Sequence, residues 1–164
     1  MDPKKLLGSV PWITKEGYFD PARFPIDIIL KQALSDDDEK FRSGLNMLQS
    51  MHRNGREEAG VVLLGVLVNC EDNWEKRIKI VDALSGFHTK PCADLLFGEL
   101  KRVKSSNTTR RYLGTIITVL SRMPTDLIEK GLEALVQDKS FSPKMRAKFE
   151  AVLRKEFLDS RFLW

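Results

Sequence analysis

Residues that can open a helix recur at one interval along this chain. Asp37, Asp72, Asn107 and Ser142 stand 35 residues apart. Each is of a type that accepts a hydrogen bond from the free N–H groups of a helix start. Two further registers run beside this one. Gly65, Gly98 and Gly131 are 33 apart, inside LLGVL, LFGEL and EKGLEAL, and Leu48, Leu84 and Leu120 are 36 apart. A glycine inside a helix costs about 1 kcal/mol against alanine, so three at one interval predict places where neighbouring helices approach closely. Known helical repeats of about 33–47 residues bracket this period.

The hydrophobic pattern fills in those units. Residues 72–139 read as two helical hairpins. In the first, Trp74, Ile78, Val81 and Leu84 form an apolar stripe, and a partner helix follows from Thr89, with Pro91 in its first turn. In the second, Leu113, Ile116, Ile117, Leu120 and Met123 form the stripe, and Pro124 starts the partner. Upstream, Ile26–Leu34 predicts a short helix, and Asp37–Arg53 a longer one with Phe41, Leu45, Leu48 and Met51 buried. The run GVVLLGVLV within 56–69 suits a buried strand or a helix. The glycine register favours a helix, and one apolar on every side must be covered on every side.

Residues 1–25 do not repeat. Pro3, Pro11, Pro21 and Pro25 break any long helix. Trp12, Tyr18, Phe19 and Phe24 are too apolar for a free tail, so an irregular arm is expected to pack on the first repeat. Ser142-Pro143 opens a last helix, expected to carry Met145, Phe149, Val152, Leu153 and Phe157, with Phe162-Leu163-Trp164 folding back as a cap.

The offsets of Trp, Leu-Gly, Tyr and Pro that mark tetratricopeptide repeats are absent, as is the ankyrin Thr-Pro-Leu-His signature. Over about residues 36–158, period and pattern resemble the HEAT/armadillo family of α-solenoids. That resemblance implies an all-α fold: a short right-handed α-solenoid of about three HEAT-like hairpins plus a C-terminal helix. The domain plan is an arm over 1–25 and a helical repeat domain over 26–164, one structural domain in all. A plain helical bundle is the alternative.

Composition narrows the function. The longest apolar run, 60–68, is far short of the ~20 residues that span a bilayer, and no signal peptide is read at the start. Two cysteines, Cys70 and Cys92, give no disulfide framework and fit a reducing compartment. A cytoplasmic protein without a membrane partner is expected. No nucleophile elbow, phosphate loop or HExxH occurs. His88 and Cys92 are four apart, but a zinc site wants four such ligands. Asp82, Asp94 and Glu99 read as solvated helix carboxylates. No catalytic residue, cofactor or metal is assigned.

Charge is the one suggestive feature. The net charge is +4, and Lys76, Arg77, Arg110, Arg111, Lys144 and Arg146 recur in the first turns of successive first helices. Cations there oppose the helix macrodipole, so they do not serve those helices. The expectation is a non-catalytic HEAT-like scaffold or adaptor that binds a protein partner with an acidic surface. The second reading is a nucleic-acid binder using the same basic row, and the third a HEAT-like DNA glycosylase or lyase. Stacking on single strands would want exposed aromatics among the cations, where only Tyr112 and Trp74 lie.

Overall fold

The computed structural model describes residues 11–16 and 18–155. Among these the chain is all-α, and its only β pairing is an isolated bridge between Ile13 and Phe19. The helices are α1 (Ile26–Ala33), α2 (Asp38–Arg53), α3 (Glu57–Asn69), α4 (Trp74–Ala83), α5 (Lys90–Arg102), α6 (Arg110–Ser121), α7 (Thr125–Gln137) and α8 (Pro143–Leu153). None among the described residues is long and apolar enough to cross a membrane. The chain divides into two compact units, which part between Asn69 and Cys70.

Unit 1 is built around α2. Asp37 caps it by accepting from the backbone N–H of Glu39 (3.0 Å) and Lys40 (2.9 Å). These donors, Lys40 foremost, hold the Asp37 carboxyl below its ordinary pKa. Phe41, Leu45, Leu48 and Met51 recur at helical spacing and are all buried, so the expected stripe is the core of the unit. Helices α1 and α3 and the 3-10 turn Pro21–Arg23 pack on α2. The closest approach is at Gly44, where an added Cβ would run into the backbone of Ala33.

The described part of the arm is a small aromatic cluster. Trp12 and Phe24 meet edge to face at 5.3 Å, and Phe19 lies 5.4 Å from Phe24. The Arg56 guanidinium donates to the Phe24 carbonyl, tying the arm to the start of α3. The run GVVLLGVLV is helical, as its register predicts, but its expected full cover is not there. Val61 and Val68 are exposed.

Unit 2 has α6 at its centre. Tyr112, Leu113, Ile116, Ile117, Val119 and Leu120 are all buried, because α4, α5 and α8 all pack on α6. Helix α7 packs on α5 and α8. It turns Ile128, Leu132 and Leu135 inward at spacings of four and three. Phe141, in the loop before α8, meets Phe149 edge to face at 5.3 Å.

Two of the four expected openings are displaced. Asn73, not Asp72, caps α4, and Thr109, not Asn107, precedes α6. The glycine register also differs from expectation. At Gly131 an added Cβ would strike the ring of Phe97, but Gly65 and Gly98 face open space. The final helix ends at Leu153, capped at Arg154, with Lys155 at φ 53°, short of the expected Phe157; Phe157 itself and the tail 162–164 lie outside the described residues.

Candidate binding surface

Three helix starts of unit 2 carry the cations chosen from the sequence. Lys76 and Arg77 lie near the start of α4, Arg110 and Arg111 open α6, and Lys144 and Arg146 lie near the start of α8. These starts are neighbours. Arg111 donates from Nη1 to both oxygens of Glu75, at 3.0 and 3.2 Å, which bridges α6 to α4. Arg110 and Lys144 line one polar groove between the starts of α6 and α8. Helices α4, α6 and α8 therefore present the same end in a row. Helices α5, α6 and α8 have no acid in the first turn, whereas α1, α2, α3, α4 and α7 each carry at least one.

The six cations do not share one role. Arg110, Arg111 and Lys144 are exposed, and Lys76 and Arg146 are half-buried. The Arg111–Glu75 pair is exposed on both sides, so it contributes at most about 1 kcal/mol and is open to exchange for a partner. Arg77 is different. It is 3% exposed, and its Nη1 donates to the Cys70 carbonyl at 2.6 Å. Its Nη2 donates to Glu99 Oε2 at 2.8 Å, so it has no face to offer a partner.

Arg77 belongs to a buried network that sequence reading missed. Glu99 is not a solvated carboxylate but is 7% exposed. Besides Arg77, it accepts from Tyr112 Oη at 2.6 Å and from Arg102 Nε and Nη2, each at 3.0 Å. Arg102 Nη2 also donates to Asp72 at 3.0 Å. Trp74 packs on Tyr112 at 5.5 Å between ring centroids, and the Arg77 guanidinium lies 5.7 Å from the centre of the Tyr112 ring. Burial alone would raise the Glu99 pKa, but the donors Arg102, Tyr112 and Arg77 outweigh it and hold the carboxyl below its ordinary value. Burial, then Glu99, push the Tyr112 phenol up, so it stays a donor.

A pH dependence follows. Because the folded pKa of Glu99 is depressed, its contribution to stability is complete above the unfolded value. It is lost as pH falls through the folded value. Unit 2 is expected to lose stability as pH drops below about 4.3, the unfolded glutamate value. Thermal unfolding followed at tryptophan between neutral and acid pH measures this. Glu99→Gln should flatten that part of the profile.

The groove between α6 and α8 has a volume of about 340 Å³. Arg110, Lys144 and Lys148 supply its charge, and Ser105, Ser106 and Ser142 line it with hydroxyls. Lys148 was not picked out from the sequence, although it stands one turn beyond Lys144 on α8. The loop before α6 is held rigidly. Thr109 Oγ1 accepts from the Ser106 N–H at 2.9 Å and donates to the Lys104 carbonyl at 2.7 Å, while Ser106 Oγ accepts from the Thr109 N–H at 3.2 Å.

No group of three or more His, Cys, Asp or Glu among the described residues could hold a metal ion. His88 is exposed while Cys92 is fully buried. Burial pushes the Cys92 thiol up to about 12, so it stays protonated. Comparison with protein-family models, with curated proteins and with solved structures finds no match for the chain.

Proposed function

We propose that this chain is a non-catalytic interaction module of HEAT-like helical hairpins that takes an acidic protein surface across the helix starts of unit 2. The observation that carries this reading is the row itself. Arg110, Arg111 and Lys144 stand exposed at neighbouring helix ends where cations oppose the macrodipole. An acidic partner offsets that cost and is drawn in by the field of the row. Stacking of the HEAT type is supported by the packing in unit 2, with α4 on α6, α6 on α8, and α5 on α7.

Nucleic acid is the second reading, since a basic row also suits phosphates. For single strands it is weakened by the aromatics. Tyr112 is wholly buried, Trp74 packs on it, and no aromatic of unit 2 among the described residues is exposed. Bases therefore find no stacking platform beside the cations.

The test is fluorescence anisotropy of a labelled glutamate-rich peptide at low salt, with wild type and Arg110→Ala/Lys144→Ala. Both side chains are exposed, so helicity should be unchanged. Binding should weaken by about tenfold or more, as when charges facing an acidic partner are removed. Unchanged affinity in a folded variant would reject the reading.

A further inference from the structure

The geometry points to a phosphate monoester, carried on a phosphorylated side chain of the acidic partner, as the anion that the groove between α6 and α8 takes. This inference rests on the reading of the unit 2 helix starts as the partner-binding side. The groove itself is a built feature. Its three charged lining residues, Arg110, Lys144 and Lys148, are all cationic. They come from two helices and face one space. Lys144 and Lys148 stand four apart on α8, a like-charge spacing that destabilises a helix. Lys148 is half-buried, and burial, then the charge of Lys144, lower its pKa. An anion in the groove is attracted by both charges.

Shape and charge favour a monoester over other anions. The volume, about 340 Å³, is at the low end for small-ligand sites, which suits one phosphoryl group and the side chain that bears it. A phosphomonoester carries a charge near −2 at neutral pH and three strong acceptor oxygens. Three converging cations and the hydroxyls of Ser105 and Ser142 meet that demand better than they meet a planar carboxylate. A nucleic-acid backbone carries one charge per phosphate in a line, and asks for cations spread along a track. The loop fixed by Thr109 is preorganised, so little ordering is lost on binding.

The experiment is a 15N–1H NMR titration of the full chain with four probes. They are an acidic peptide bearing one phosphoserine, the same peptide with glutamate at that position, inorganic phosphate, and a short DNA duplex. The phosphopeptide should move the amides of 105–110, 142 and 144–148 and bind about tenfold or more tightly than its glutamate twin, as the second charge and third oxygen imply. Inorganic phosphate should move the same amides and compete. Lys148→Ala should abolish the preference. If that variant loses helicity, Lys144→Glu, at an exposed side chain, makes the same test.

Equal binding of the two peptides would overturn the phosphate inference and leave the acidic-partner reading standing. Binding of neither peptide would overturn both. Tighter binding of the duplex, with shifts spread over all three helix starts, would overturn both in favour of nucleic acid.

Discussion

Glu99→Ala is expected to destabilise unit 2 by about 3–5 kcal/mol, the cost of breaking a buried ion pair by removing one partner. The charge left behind is Arg77, at 3% exposure, which keeps its hydrogen bond to the Cys70 carbonyl and a longer ion pair with Asp72 at 3.9 Å. Tyr112 Oη, wholly buried, loses its acceptor as well. Arg102 is less affected, because it is partly exposed and keeps Asp72. A double-mutant cycle sharpens the expectation. Replacing both Arg77 and Glu99 by apolar residues of similar volume should cost less than removing Glu99 alone, since no buried charge is then stranded. Urea unfolding, with amide exchange read over residues 70–155, measures each variant. Additive losses in the cycle would mean that the two side chains do not act as a pair.

Gly44→Val is expected to cost unit 1 about 3 kcal/mol or more, above the usual range for overpacking. The atoms that an added Cβ would meet belong to backbone: the Ala33 N, the Ala33 Cα at 2.8 Å and the Gln32 carbonyl carbon at 2.9 Å. A side-chain neighbour could rotate away, but backbone yields only if α1 shifts off α2. Valine adds two methyl groups to that clash. The matched control is Gly65→Ala. Its site faces open space, so the change should stabilise α3 by up to about 1 kcal/mol through helix propensity. Amide exchange over residues 26–69 reads both. Equal effects at the two positions would contradict the close approach of α1 and α2.

The helices were legible in the sequence because their stripes are strong. Phe41, Leu45, Leu48 and Met51 keep helical spacing and are all buried. The caps were legible where the side chain has no competing partner, as at Asp37 and Ser142. Asp72 fails as a cap because its carboxylate pairs with Arg102, and Asn73 accepts from the Lys76 N–H instead. The start of α6 moves beyond Asn107 because Ser106 and Thr109 bond one another and Lys104.

The candidate site was legible only in part. Arg110 and Lys144 meet at one groove, which periodicity suggests. Lys148 could have been found from its spacing to Lys144. Glu99 could not, because its partners Arg77 and Tyr112 stand 22 and 13 residues away and no local pattern brings them together. Arg77 looks like its neighbours in sequence. Only the packing of α4 and α5 on α6 separates it from the exposed row.

The most direct test of the central claim compares two ligands across a salt series. Labelled glutamate-rich peptide and labelled duplex DNA are each titrated with the protein, from low to near-physiological salt. Binding of the peptide is expected throughout the series, with loss in Arg110→Ala/Lys144→Ala, and the duplex should bind more weakly at every salt. Duplex binding tighter than peptide binding, falling steeply and linearly with salt on logarithmic axes, would contradict the claim.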